Sequence, residues 1–230
     1  MSRVILKISG EALKIGNNLI ADEKLEIILK TIEILKKDNH KIGIVIGGGN
    51  FFRGREHNEM EKVTRDTIGM LGTVTNALYI KDFLSKKNIN SIISTPFNFP
   101  NLIENYTNNE LNEKYENGEI ILFGGGIGKS GYSTDSGTIL ASEILNCDLI
   151  IKMTNVDGVY DGDPKIMKDA KKFSKLTYDE VIKNNYKVMD QYAIEKCKEN
   201  GIKILVINYS DYEGIKKYFD GKIIGTLIGE

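Results

Sequence analysis

Residues 119–135 read EIILFGGGIGKSGYSTD. An apolar run breaks into glycine, then passes through Gly128-Lys129-Ser130 and a literal G-x-G-x-x-G from Gly126 to Gly131. Two phosphate-binding designs compete for this stretch. A G-x-x-x-x-G-K-S loop needs glycine five residues before Gly128, where Phe123 stands, and a helix that opens at the Lys-Ser pair. Here Gly131-Tyr132-Ser133 follows, and the next helix is expected to open at Thr134 or Asp135, both good capping types. A dinucleotide fingerprint needs an acidic residue at the far end of the next strand, but Asp148 stands at that strand's beginning. Neither design fits. What the stretch does specify is a strand, a glycine turn and a helix in succession.

That unit recurs along the chain. Apolar β-rich runs at 3–8, 41–46, 89–95, 119–124, 148–153, 203–208 and 222–228 are expected to be strands. Between them, 22–38 carries Leu25, Ile28, Leu29, Ile32 and Leu35 at helical spacing, with Asp22 placed to cap it. Residues 66–85, 135–146 and 192–200 also read as helices. Alternating strand and helix implies a mainly parallel sheet covered on both faces, and the strands are continuously apolar, as burial on both faces requires. The polar stretch 157–178 is the least regular and is expected to be a working loop.

The 230 residues suffice for a substantial core, and 41% hydrophobic with 27% charged is an ordinary globular composition. A net charge of -1 leaves no basic footprint for nucleic acid. No apolar run approaches the roughly 20 residues that span a bilayer. Met1-SRVILKISG lacks the apolar core and cleavage site of a secretory leader and is expected to start the first strand. Cys147 and Cys197 show no metal-ligand spacing, which fits a reducing cytoplasm. With only His40 and His57, histidine-based catalysis has little room.

Ligands of open α/β sheets bind beyond the carboxyl ends of the strands. Three strands end in glycine-rich turns: KISG at 7–10, GGGNFFRG at 47–54 and GGGIG at 124–128. Such turns offer close backbone approach and free N–H donors. Converging on one sheet edge with Lys7 and Arg53, they point to an extended polyanionic ligand or two adjacent ones. Lys7, within an apolar strand at that edge, is the foremost candidate cation, and Lys152 at the end of another apolar strand is a second.

Together, LKISGEAL (6–13), VIGGGNFFRG (45–54), VTRDTIGMLGTVTNAL (63–78), STDS (133–136), KMTNVDGVYDGDP (152–164) and LTYDEVI (176–182) leading to KVMD (187–190) resemble the amino acid kinase superfamily. Within it they resemble the bacterial-type uridylate (UMP) kinases. The resemblance implies a three-layer αβα sandwich with a mainly parallel central sheet, one domain over 1–230. Its N-terminal part is then mainly the UMP side and about 150–230 mainly the ATP side. It also implies Mg²⁺-dependent transfer of the ATP γ-phosphoryl group to UMP in pyrimidine nucleotide biosynthesis, in a homohexamer under allosteric control. Residues 14–21 depart from the glycine-rich stretch associated with effector response.

Site roles follow from the same resemblance. Lys7, Ile8, Ser9, Gly10, Gly49, Arg53, Lys152, Thr154, Asn155, Tyr160 and Asp163 fall to ATP, with Tyr160 beside the adenine or ribose. Gly48, Asp66, Ile127, Gly128, Lys129, Ser130, Gly131, Tyr132, Ser133 and Thr134 fall to UMP. Asp66 is expected to open its helix, as a first-turn carboxylate, a UMP contact or both. Lys7, Arg53, Asp135 and Asp190 form the catalytic set. Asp135 either holds Lys7 or helps coordinate Mg²⁺, and Asp190 either orients the site or caps a helix. No direct protein ligand to Mg²⁺ is assigned, since ATP carries the ion. The 126–132 segment departs from the family's Gly-Thr-Gly-Asn-Pro-Phe-Phe, and Ile127 lacks the hydroxyl of that threonine. Alternatives are a superfamily member acting on a carboxylate or carbamate, and a non-catalytic pyrimidine-nucleotide sensor.

Overall fold

The structure is a computed structural model that describes residues 1–164, 166–167 and 169–229. Strands β1 (Arg3–Ile8), β2 (Lys41–Ile46), β3 (Ser91–Ser94), β4 (Ile120–Phe123), β5 (Leu149–Thr154), β6 (Lys175–Leu176), β7 (Lys203–Asn208) and β8 (Thr226–Ile228) make up the sheet of the described residues. Their order is β3-β4-β2-β1-β5-β7-β8-β6. All pairings are parallel except β7 with β8.

Both faces are covered. Val4, Leu6 and Ile8 of β1 pack with Leu25, Ile28 and Ile32 of helix α1 (Asp22–Lys37), and with Ala77, Ile80 and Leu84 of α2 (Lys62–Lys86). Ile5, Val45 and Ile150 face the other way. They meet Tyr115 of α3 (Asn108–Glu116), Ile139 of α4 (Thr134–Ile144), Val181 of α5 (Tyr178–Lys183) and Ile194 of α6 (Gln191–Asn200). Helix α7 (Tyr212–Phe219) brings Ile215 to the first face. This is the expected three-layer α/β sandwich. It explains why β1 and β2 are buried along all but their first residue.

Several boundaries depart from the sequence reading. Asp22 does not cap α1: Ala21 holds the cap position without a side-chain bond, and Asp22 is the first helical residue. There its charge still favours the helix dipole. Asp66 does not open α2, because four residues from Lys62 already lie in the helix before it. Ser133, not Thr134 or Asp135, caps α4, its hydroxyl accepting from the Asp135 and Ser136 amides. The last strand covers only Thr226–Ile228 of the expected 222–228.

Parallel strands place the ends of β1, β2, β4 and β5 along one edge, so the glycine turns gather there. The first two interlock. A Cβ on Gly10 would stand 2.5 Å from the Gly47 carbonyl and 2.7 Å from the Gly49 amide. Helix α2 seals the second turn just as closely, since a Cβ on Gly48 would lie 2.5 Å from the Gly69 carbonyl. Asn76 of α2 donates to the Gly47 carbonyl at 2.7 Å and exchanges bonds with Asn50, both side chains buried. The third turn is tied to the same helix, with the Gly125 amide donating to Thr73 Oγ1 at 2.6 Å. Gly10→Ala forces two backbone turns apart and is expected to cost about 1–3 kcal/mol, lowering the thermal midpoint by about 2–12 °C. An unchanged midpoint in a calorimetric melt would count against the interlock.

Candidate active site

Lys7 and Lys152 are register partners on β1 and β5. Neighbouring parallel strands lie about 4.8 Å apart and register partners share a face, so two ammonium groups rise side by side from the sheet. Both point to the α4–α6 face, because the alternate residues Leu6, Ile8, Ile151 and Met153 fill the opposite core. Lys7 is only 8% exposed. Its Nζ lies 2.6 Å from Asp135 Oδ1, an ion pair without hydrogen-bond alignment. Lys152 donates to the Val188 carbonyl, at the approach to α6.

Asp135 sits in the first turn of α4, where the helix dipole favours a carboxylate. Burial opposes its charge, but the ammonium groups of Lys7 and Lys152 outweigh that and hold the carboxyl below its ordinary range. The Asp190 amide donates to Asp135 Oδ2 at 3.0 Å. Asp190 in turn caps α6 through Ala193 and accepts from the Ser133 hydroxyl. Its side chain thus caps α6 while its backbone amide bonds Asp135. Asp135 faces both cations, and the Asp190 carboxylate adds a second negative charge toward Lys152. Burial, with the charge of Lys7 second, pushes the Lys152 ammonium down to about 8. An anion placed here would relieve both.

Two cavities flank this cluster; Lys152 lines one of them, while Lys7, Asp135 and Asp190 line neither. The first, of about 710 Å³, is lined by Gly48, Gly49, Arg53, Asp66, Ile127, Lys129, Tyr132, Ser133 and Thr134, among others. Lys152, Thr154, Tyr160 and Asp163 line a second, of about 560 Å³. Thr134, next to Asp135 in the chain, reaches the first, whereas Lys152 opens on the second. Each is of a size that takes a nucleotide-like ligand.

Not every expected residue lines a cavity. Ile8 is core, Gly10 is consumed by the interlock, and Ser9 lies beneath the second turn, its Cα near Gly47. Asn155 is exposed, outside the second cavity's lining. Gly49 and Arg53, assigned to ATP, lie with Gly48 in the first cavity. Gly128 packs on Pro96, and Ser130 and Gly131 grip Asp66, which accepts from the Ser130 hydroxyl at 2.5 Å and the Gly131 amide at 2.8 Å. These bonds hold the Asp66 carboxyl below its ordinary range. The Tyr160 hydroxyl donates to Asp157 Oδ1 at 2.6 Å, which orients its ring. Glu11, Arg55 and Arg65 line the first cavity and were missed. The two arginines stand beside residues already singled out, Gly54 and Asp66, and extend the cationic wall begun by Arg53. Among the described residues no group of three or more His, Cys, Asp or Glu side chains converges as a metal site, and no helix is long and apolar enough to cross a membrane.

The chain is similar to known proteins over nearly its whole length. The amino acid kinase family matches residues 2–208. A uridylate kinase of Fervidobacterium nodosum is 39% identical over 229 residues, covering 98% of this chain and 97% of its own. One from Mycoplasmopsis pulmonis is 40% identical over 232 residues, with 98% and 96% covered. The crystal structure of a UMP kinase from Bacillus anthracis superposes with a TM-score of 0.94 at 34% identity, over 99% of this chain and 96% of the other.

Two outcomes test the cluster. Asp135→Asn leaves the buried cations without their partner and is expected to destabilise the protein by about 3 kcal/mol, read as a lower thermal midpoint; an unchanged midpoint argues against the ion pair. A lysine whose pKa is near 8 is charged below that pH and neutral above it. The kcat/KM for nucleotide, which reports the free protein, should therefore decline as pH rises through about 8, and the decline should be missing in Lys152→Met.

Proposed function

The chain belongs to the amino acid kinase family, and on that premise we propose that its two cavities hold the acceptor and donor of a phosphoryl transfer. It is an ATP-dependent kinase that converts UMP and ATP to UDP and ADP. The observation carrying the reading is the Lys7–Asp135 ion pair beside Lys152, with Thr134 of α4 lining the first cavity and Lys152 the second.

UMP occupies the first cavity, with its phosphate at the N-terminus of α4 near Thr134, where the helix dipole favours an anion. ATP lies over the second, with Thr154, Tyr160 and Asp163 about its nucleoside and its phosphates directed at Lys152 and Lys7. The attacking oxygen belongs to an already ionised phosphate, so no general base is needed. It bonds to the γ-phosphorus as the bridging bond to ADP breaks. Two unit charges about 4 Å apart repel by about 4 kcal/mol at an effective dielectric near 20. Cations held at that point therefore lower the barrier, and alignment supplies the rest. Asp135 fixes the Lys7 ammonium, and Asp190 fixes Asp135.

Mg²⁺ fits this site as an ion carried by the ATP phosphates, since Asp135 already faces Lys7 and the Asp190 carboxylate is taken up by Ser133 and Ala193. When bound, the ion offsets phosphate charge. The N-terminal part of the chain serves mainly UMP and residues from about 150 mainly ATP. Exposed Leu71, Leu78 and Tyr79 on the outer face of α2 support assembly with further copies of the chain, as a homohexamer. The two buried, unpaired thiols, pushed up to about 12 by burial, suit a reducing cytoplasm.

The deciding assay offers UMP, CMP, acetylglutamate, aspartate and carbamate with ATP and Mg²⁺. UDP formation is expected, and turnover confined to the last three would end this reading. Lys7→Ala should lower kcat by roughly 10²–10³, as loss of a preorganised electrostatic group does. Lys129→Ala, at the cavity wall, should act mainly through the KM for UMP. The reverse ranking would restore the glycine-lysine-serine loop as the catalytic element.

A further inference from the structure

Glu11 lines the first cavity, which the phosphotransfer reading fills with anions. A carboxylate there repels the ligand, so its presence calls for a compensating role. We propose that Glu11 is a positioning residue that holds Arg53 in register with Lys7 so that the guanidinium meets nucleotide phosphate. The inference rests on the phosphotransfer reading.

Three contacts fix the guanidinium. Glu11 Oε1 lies 2.7 Å from Arg53 Nη2, Glu56 Oε1 lies 3.4 Å from Nη1, and the Gly49 carbonyl accepts from Nε at 3.5 Å. The Glu56 contact is local, three residues along the chain and the more exposed of the two pairs. The Glu11 contact is different in kind because it crosses from the first glycine turn to the second. Glu11 belongs to the tight turn Gly10–Leu13, which continues directly from β1 and is locked against Gly47 and Gly49 by the close approach at Gly10. Its side chain lies along Gly49: a Cβ there would meet Glu11 Cγ at 3.3 Å and Oε1 at 3.4 Å. Arg53 lies beyond the second glycine turn, at the start of the short helical turn Gly54–Glu56. One ion pair thus refers Arg53 to the strand that carries Lys7.

Stability does not explain the pair. The two side chains are 34% and 39% exposed, and ion pairs so exposed contribute little to folding. Planarity does: a guanidinium whose plane is fixed by these contacts points its remaining N–H donors in a set direction, which matches a phosphate better than a free arginine does.

The sign of one substitution separates positioning from background charge. Were Glu11 only a negative charge in the cavity, Glu11→Gln would tighten nucleotide binding. Positioning requires the opposite. Steady-state kinetics with UMP and ATP–Mg²⁺ on Glu11→Gln, Glu11→Asp, Arg53→Ala and the double variant E11Q/R53A would decide it. E11Q is expected to lower kcat/KM roughly tenfold, chiefly through KM, with the thermal midpoint within about 2 °C of the parent. E11D should recover most of the loss, and in the R53A background E11Q should add less than about twofold. An unchanged or lowered KM in E11Q, losses that multiply in the double variant, or a fall in midpoint that tracks the fall in activity would each overturn the assignment. A parent protein that forms no UDP would overturn the phosphotransfer reading and this inference with it. A parent that does, with E11Q equal to it, would overturn Glu11 alone.

Discussion

Two lysines set side by side by strand register, one of them ion-paired with Asp135, set the terms for the rest of the molecule. Neither ammonium can retreat: each is fixed on a central strand whose flanking residues are core. Their mutual repulsion and burial are partly offset by Asp135, itself held by the Asp190 amide. The remainder is an appetite for negative charge at one point of the sheet edge. A charge balance of this sort is poor for stability and suits phosphate binding, in keeping with the place of Lys152 on the wall of the second cavity.

The surrounding scaffold serves this point by closeness rather than by polar side chains. Gly10 lets the first turn enter the second, and Gly48 lets α2 pass over it, so backbone amides reach the edge where any side chain would obstruct them. The buried Asn50–Asn76 pair and Thr73 then bind the second and third turns to a single helix. Movement of any one turn is thereby resisted by the others. Helix termini complete the arrangement, since Ser133 and Asp190 cap α4 and α6 while bonding to each other.

Much of this was legible in the residues. The buried strands β1, β2 and β7 matched their apolar runs end to end, because continuous apolarity is what burial on both faces demands. Helices α3, α5 and α7 were not read, being short and polar with only two buried residues apiece. Yet a signal was present. Thr107 with Glu110 and Thr177 with Glu180 are capping boxes, and Asp211 caps α7. A search weighted toward apolar periodicity passes over such helices. Asp66 was misplaced for the converse reason: α2 begins four residues earlier, over a charged segment with no side-chain cap.

The sequence by itself determined the alternation of strands and helices, the three glycine turns, and the lysine buried in an apolar strand, since each is a local pattern with a local physical cause. Which residues share the site was decided only by tertiary structure. The pairing of Lys7 with Lys152 depends on strand order, and that of Lys7 with Asp135 on a helix packed across the sheet. Glu11 against Arg53 depends on two turns that interlock over a distance no spacing rule covers. Contacts between residues far apart in the chain are fixed by packing, and packing is a property of the whole fold.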